Sequence, residues 1–237
     1  MVPEATRRFR DQSRQSRGSV RYNGWLHLAF SELTCSFILA FAVSRVESPS
    51  ASEWLMVPGT FLFANVVEYL GHRNPMHRPV RGLEPLFRRH TREHHRFFTA
   101  SAMGGDSHRD YFLVLFPPAL LGFFLGGIAL PVAAFLFVVA TPNVAWFFVA
   151  VAMAYYSAYE FLHFAYHQPD GSHLFRIPGL PFLRRHHLRH HDPVLMTRWN
   201  FNISFPIVDV VLGTRWTAAA RPASTLPTAE DHIANET

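Results

Sequence analysis

Histidines at helical spacings are the residues of this chain that are best suited to chemistry. Eleven of the fifteen histidines fall into four groups, and several within a group stand three or four residues apart. Such spacings place imidazoles on one face of a helix, and neutral imidazole is a common ligand of zinc, iron and copper. We therefore predict one polynuclear metal centre. Its predicted ligands are His72, His77, His90, His94, His95, His163, His167, His187, His190 and His191, with His186 as an additional candidate.

The elements that must position these histidines are strongly apolar. Hydrophobic residues make up 49% of the 237 residues and charged residues 16%, a balance unusual for a soluble protein. The apolar residues are segregated into blocks long enough to cross a bilayer. Cys35 is the single cysteine, so the chain has no intrachain disulfide and no cysteine-based metal site. Four membrane spans are predicted, near residues 25–43, 54–71, 111–139 and 144–162.

Charge and span number together predict the topology. Residues 1–24 are polar and Arg-rich and lack a signal-peptide core, so we predict a flexible cytoplasmic arm. Four spans then return both histidine-bearing loops, residues 72–110 and 163–215, to the cytoplasmic face. The predicted fold class is an all-α membrane protein, in which four transmembrane helices carry a His-rich helical cap on the cytoplasmic side. This unit covers residues 25–215, and residues 216–237 are predicted to be a disordered tail.

The basic charge of the chain points to lipid rather than to nucleic acid. The formal net charge is +5, and all 22 basic residues are arginines. These arginines lie beside apolar blocks, where anionic lipid headgroups are the expected counter-surface. The lipid bilayer is therefore a predicted partner, and no nucleic-acid partner is expected.

Four histidine boxes in order resemble those of the fatty acid hydroxylase / sterol desaturase superfamily of integral-membrane di-metal oxygenases. The resemblance covers roughly residues 60–215, and the last box, residues 185–191, is similar to that of the fatty acid 2-hydroxylases in particular. The second box, residues 90–95, has three residues in its gap where many relatives have two. The other matching features are Glu68 to His72 with His77, Asp110 with Pro117-Pro118, Glu160 with His163 and His167, and the tail Asn200-Phe201, Asp209 and Gly213-Thr214.

The resemblance implies the cofactor and the surroundings of the ligands. It implies a cap with two iron ions held by the ten histidines, and zinc suits the same ligands. Such a centre activates O2 for attack on an unactivated C–H bond, which no side chain can do alone. It also implies that Glu68, Glu160 and Asp110 lie behind the ligands, where a carboxylate can orient an imidazole. By spacing alone, Glu68 and Glu160 fit plain helix-end carboxylates equally well.

The expected activity is that of an O2-dependent lipid hydroxylase, an oxidoreductase, acting on a fatty acyl chain. A sterol or carotenoid hydroxylase or desaturase of the same superfamily is the alternative. We expect no fused electron-donor domain, so the expected source of electrons is a separate redox protein. The expected location is the cytoplasmic membrane in a bacterium or the endoplasmic reticulum in a eukaryote, with both termini cytoplasmic.

Two other classes of membrane protein make different demands on the sequence. A His-rich metal transporter needs ligands at mid-membrane depth, whereas these histidines follow the ends of the spans. A bis-histidine haem protein needs paired histidines inside facing spans, and only His27 lies near one. Both classes fit the pattern less well than an oxygenase does.

Overall fold

The computed structural model describes residues 2–17 and 21–217, and the regular structure in these ranges is helical. The pairing that resembles a strand in them is an isolated antiparallel bridge between Thr99 and Ala102. The prediction of an all-α protein is confirmed for this part of the chain. The α-helices are α1 (Glu4–Arg17), α2 (Gly24–Ser44), α3 (Met56–Gly71), α4 (Glu84–Phe87), α5 (His95–Phe97), α6 (Pro118–Phe123), α7 (Leu130–Val139), α8 (Pro142–Tyr166), α9 (Leu180–His190) and α10 (Ile207–Val211).

Short 3₁₀ and π turns extend or connect these helices. In a π turn each backbone hydrogen bond spans one residue more than in an α-helix, and such turns are frequent at functional sites. Two of the π turns contain predicted metal ligands. The 3₁₀ turns are Glu53–Leu55, His108–Leu113 and His173–Arg176, and the π turns are His72–Met76, Arg88–His94 and Phe124–Ala129.

Helix α8 lies at the centre of the bundle and packs against α2, α3 and α7. One apolar cluster joins α8 to α2 and α7 through residues such as Phe148, Ala42 and Ala133. Three helical stretches are long and apolar enough to cross a membrane, and they match the predicted first, third and fourth spans. These stretches are Gly24–Ser44, His108–Val139 and Pro142–Tyr166.

The predicted second span, residues 54–71, is shorter in the structure than the other three. Helix α3 has 16 residues, or about 24 Å at 1.5 Å per residue, against a hydrocarbon core of about 30 Å. Its regular pattern ends where the chain enters the π turn His72–Met76. That turn is kinked at Asn74, whose backbone is extended, and Pro75 has no N–H to continue a helix.

The turn after α2 and the turn before α8 lie side by side at one end of the bundle. The Asn143 amide nitrogen donates to the Glu47 carbonyl, and the Glu47 N–H donates to the Asn143 side-chain oxygen, both at 2.9 Å. The Thr141 hydroxyl donates to Glu53. The predicted ligands lie at the other end, since His163 comes one turn before the C-terminus of α8.

The cap, which we define as residues 72–106 and 167–217, covers that other end of the bundle. It is tied to α8 by the Tyr166 hydroxyl, which donates to the Ile203 carbonyl at 3.0 Å. Phe201 and Ile203 are each 1% exposed, so the loop that contains them is part of the core. The cap therefore rests on the bundle through buried contacts.

The N-terminal segment differs from the flexible arm predicted over residues 1–24. Residues Glu4–Arg17 form α1, and Arg10 in its middle is only 2% exposed. The Arg10 guanidinium donates to backbone carbonyls of the cap and pairs with Asp106. Composition alone does not reveal this anchor, because the other arginines of α1 look the same in the sequence. Of the predicted tail, residues 218–237 lie outside the described residues.

Candidate metal centre

Five buried imidazoles converge in the first cluster. The Nε2 atom of His72 lies 2.8 Å from that of His90 and 3.2 Å from that of His77. The Nε2 atom of His190 lies 2.7 Å from that of His77, and the Nε2 atom of His95 lies 3.1 Å from that of His90. Each of the five side chains is at most 8% exposed. Their ring nitrogens therefore face a common point that is shielded from water.

The second cluster lies beside the first. Its Nε2 atoms are joined by contacts of 3.3 Å between His163 and His94 and of 3.2 Å between His167 and His187. We assign His191 to the same cluster, because its Nε2 lies 3.0 Å from that of His187 and 3.3 Å from that of His94. The structure thus brings all ten predicted ligands together. The clusters touch at several rings, among them those of His95 and His191, whose centroids are 4.2 Å apart.

Backbone carbonyls behind the clusters determine which ring nitrogen faces inward. A carbonyl only accepts hydrogen bonds, so an imidazole bonded to it through Nδ1 carries its proton there. Its Nε2 then presents a lone pair to the cluster, which is the form that binds a metal. Five ligands are held in this way: His72 by Phe201, His94 by Leu113, His167 by Met103, His190 by Trp199 and His191 by Phe98.

A threonine does the same for His77. The Thr91 hydroxyl donates its hydrogen to the Met76 carbonyl at 2.6 Å, so its oxygen is left as an acceptor. The Nδ1 atom of His77 lies 3.2 Å from that oxygen. The Nδ1–H of His77 therefore donates to Thr91, and its Nε2 lone pair points into the first cluster.

Individual helical turns supply ligands to both clusters. In the π turn Arg88–His94 the rings of His90 and His94 stack with 5.1 Å between their centroids. Nevertheless His90 belongs to the first cluster and His94 to the second. Helix α9 is shared in the same way, since His190 enters the first cluster and His187 the second. The two clusters are therefore parts of one centre.

Burial keeps these imidazoles neutral. It lowers the pKa of His72 to about 4, that of His77 to about 2 and that of His191 to about 3. Burial also lowers the pKa of the other cap ligands well below its usual value, with neighbouring imidazoles adding to the effect. At neutral pH these side chains are consequently in the form that binds metal.

The donor set favours particular metals. The two groups of converging donors in the described residues consist of histidines, without a carboxylate. Imidazole suits iron, zinc, copper and nickel, whereas magnesium and calcium prefer oxygen ligands. The clusters could thus hold transition-metal ions, and the residues present fit iron or zinc.

His186, the additional candidate ligand, lies outside both clusters. Its Nε2 is 3.1 Å from the Asn202 carbonyl oxygen and 3.5 Å from an Asp209 carboxylate oxygen. The Asn200 side chain donates to the His186 carbonyl at 2.9 Å. His186 therefore holds the 200–209 loop in place. The adjacent His187 is turned toward the second cluster because successive residues of a helix face different directions.

The three acidic residues hold backbone segments rather than imidazoles. Glu68 accepts hydrogen bonds from the Ser204 N–H at 2.9 Å and from the Tyr155 hydroxyl. Glu160 accepts from the Phe116 N–H at 3.1 Å. His72 donates to the Phe201 carbonyl instead of to Glu68, so Glu68 acts on that imidazole only through the loop that contains Phe201. Glu160 binds the backbone N–H of Phe116, close in sequence to the Leu113 carbonyl that accepts from His94.

Asp110 likewise fixes a turn instead of an imidazole. Its carboxylate accepts from the Asp106 N–H at 2.9 Å and from the Ser107 N–H at 3.2 Å. It also pairs with Arg14 of α1 at 2.9 Å. Asp110 thus joins the start of the third apolar stretch to the N-terminal helix.

The residues that sequence reasoning missed act mostly through the backbone. The carbonyls that orient the imidazoles have no side-chain signature. Thr91 had a signal, because it follows His90 within the second histidine group and its hydroxyl is a ready acceptor. Tyr155, which binds Glu68 in the interior, was hidden within an apolar span.

An apolar cavity of about 320 Å³ opens onto the centre. Much of its wall comes from residues 113–120, at the start of the third apolar stretch, and from Leu86. Arg89 lies at its side, where its guanidinium donates to the Leu115 carbonyl at 3.1 Å and to the Phe112 carbonyl. The histidines that line the cavity come from both clusters: His90, His94 and His163.

A solved structure with the same arrangement of elements is described as full-length Scs7p with only its hydroxylase domain visible. The TM-score is 0.58 and the sequence identity 18%, over 86% of this chain and 70% of that chain. This chain has the fold of the Scs7p hydroxylase domain. This likeness is one of fold, and it agrees with the helical fold that the sequence resemblance implies. No family model matches the chain, and no curated protein matches its sequence.

Proposed function

We propose that this protein is an integral-membrane, O2-dependent di-iron hydroxylase that acts on an unactivated C–H bond of a lipid, in the first place a fatty acyl chain. The observation that carries the proposal is the pair of adjacent all-histidine clusters that line one end of an apolar cavity. The Scs7p-like fold supports the same class of activity. A binding or structural protein has no evident need for ten neutral imidazoles beside such a cavity.

Each cluster would hold one iron ion. The five histidines of each cluster offer Nε2 lone pairs, and hydrogen bonds from Nδ1 to the protein keep most of these rings in orientation. When bound, the two ions would supply the O2 activation that no side chain provides. Metal content and the optical spectrum of anaerobically purified protein test this assignment. Two irons per chain without a haem band are expected, and haem absorbance or metal-free protein would contradict it.

The cavity would bind the hydrocarbon part of the substrate. Its walls at Leu86, Leu113, Val114 and Leu120 are apolar, so burying an acyl chain there is favourable by roughly 25 cal/mol per Å². The same apolar walls would disfavour water at the end at which His90 meets the cavity. A lipid could reach this end from the bilayer without passing through water.

The proposed topology has four spans, with both termini and the cap on the cytoplasmic side. Helix α3 is short, but the 3₁₀ turn Glu53–Leu55 precedes it directly, and its surface exposes Leu62 and Phe63 at 50% and 53%. Membrane thinning or the flanking turns can accommodate a short span. Topology reporters fused at Pro49 and Asn143 should both report the far side of the membrane. A cytoplasmic signal at Asn143 would contradict the four-span arrangement.

The substrate is best tested with labelled oxygen. Membranes supplied with this protein, ¹⁸O2 and a compatible separate electron-donor protein should gain one labelled hydroxyl on a fatty acyl chain. Label in a sterol or carotenoid would favour the alternative substrates of the same superfamily. Unchanged lipids together with metal export would favour a transporter. The protein itself is expected in the cytoplasmic membrane of a bacterium or in the endoplasmic reticulum of a eukaryote.

A further inference from the structure

The N-terminal helix α1 reaches the metal centre through one buried arginine. The Arg10 Nε donates to the Phe97 carbonyl at 2.9 Å, and its Nη2 donates to the carbonyls of Ala102 and Gly104 at 2.6 and 3.1 Å. Its Nη1 lies 3.3 Å from both carboxylate oxygens of Asp106. A buried charge is costly unless it is paired and hydrogen-bonded, and these contacts satisfy the guanidinium on all three of its nitrogens.

The segment that Arg10 binds, residues 97–106, also orients two ligands of the second cluster. The Phe98 carbonyl accepts from His191 Nδ1, and the Met103 carbonyl accepts from His167 Nδ1 at 3.0 Å. Along this segment the carbonyls of residues 97, 102 and 104 face Arg10, and those of residues 98 and 103 face the imidazoles. Most of the segment is irregular, so helical hydrogen bonds do not fix its conformation.

The first cluster does not depend on this segment in the same way. Its ligands His72 and His190 donate to the carbonyls of Phe201 and Trp199, and His77 donates to Thr91. These acceptors come from other parts of the cap. His95 is the first-cluster ligand next to this segment, and no described hydrogen bond joins its imidazole to residues 97–106. Disturbing the carbonyls of residues 98 and 103 should therefore affect chiefly the second cluster.

We propose that Arg10 is a positioning residue for the second cluster, so that retention of metal there depends on α1. This inference rests on the proposed di-iron centre. Arg10 donates to the carbonyl that precedes Phe98 and to the two carbonyls that flank Met103. Without it the Phe98 and Met103 carbonyls can turn away, and the two imidazoles that they bind lose the acceptors that hold their Nε2 lone pairs inward. Loss of such outer contacts typically lowers metal affinity about 10–100-fold.

The test compares iron release from purified, iron-loaded full-length protein in the presence of a ferrous chelator. In Arg10→Ala, one of the two irons should leave about 10–100-fold faster than in wild type, while the other leaves at the wild-type rate. The iron that is lost should be the one whose site His187→Ala removes, which identifies the second cluster. Arg10→Lys keeps the charge but lacks the planar fork, so release should be intermediate.

The control is Arg7→Ala, because Arg7 lies on the same helix but is exposed. Its two irons should leave at wild-type rates. Equal acceleration of both irons in Arg10→Ala and Arg10→Lys would show a general role in folding and overturn the inference. Wild-type release from both variants would overturn it as well. Wild-type protein that holds no iron would instead refute the proposed function, so the two failures are distinguishable.

Discussion

Thr91→Val removes one hydroxyl behind the first cluster while preserving the shape of the side chain. In the native protein this hydroxyl donates to the Met76 carbonyl at 2.6 Å and accepts from His77 Nδ1 at 3.2 Å. His77 is buried, at 4% exposure, so water cannot replace the lost acceptor. The variant therefore leaves a buried imidazole N–H without its partner.

The magnitude follows from the cost of an unsatisfied buried donor. That cost is about 1–3 kcal/mol, and about 1.4 kcal/mol corresponds to a factor of ten in affinity. Affinity for the ion of the first cluster should thus fall about 5- to 150-fold. The described hydrogen bonds of Thr91 go to Met76 and His77 and not to a ligand of the second cluster, so the ion of the second cluster should remain.

Chelator-driven iron release from purified protein measures this effect. One of two irons should leave faster from Thr91→Val, whereas Thr91→Ser keeps the hydroxyl and should behave as wild type. Unchanged release from Thr91→Val would refute the orienting role of the hydroxyl, and loss of both irons would refute its restriction to one cluster.

Three further outcomes are expected. His187→Ala or His191→Ala should lower iron content and abolish hydroxylation, and full iron content in both variants would contradict the di-iron centre. Burial lowers the pKa of His72 to about 4, from about 6.5 in the unfolded chain. The stability that metal-free protein gains from keeping this imidazole neutral should therefore be fully present above pH 6.5 and be lost as the pH falls toward 4. Thermal unfolding between pH 8 and pH 4 checks this sign. Glu68→Gln should lower the unfolding temperature, because both carboxylate oxygens accept hydrogen bonds and an amide NH2 in place of one of them cannot accept. An unchanged temperature would show that the carboxylate contributes little.

The local features of the protein could be predicted from the sequence because they depend on short-range patterns. Apolar blocks of membrane length are visible as composition, and three of them are confirmed as helices of sufficient length. Histidine spacing is also local, so His163 and His167 could be assigned to one helix face before their partners were known. The ten predicted ligands then proved to be neighbours in space.

Features that depend on backbone direction could not be predicted in this way. His90 and His94 stand four apart, which suggests one shared site, yet the structure divides them between two clusters. The structure also differs from the predicted contacts of Glu68 and Glu160 with imidazoles, because both carboxylates accept hydrogen bonds from N–H groups of neighbouring loops instead. Spacing reports which side chains share a face, but it does not report where the following loop returns.

Residue types and their spacing were thus enough to predict the helical class, the apolar blocks and the histidines that could bind metal. The division of the histidines into two clusters depends on how the chain folds, and so does the set of carbonyls that orient their inward-facing nitrogens. The tertiary structure also decided that Arg10 is buried while Arg7 and Arg8 of the same helix remain exposed. The physical reason is that every residue has the same carbonyl group, so only the path of the folded chain determines which carbonyl meets which imidazole or guanidinium.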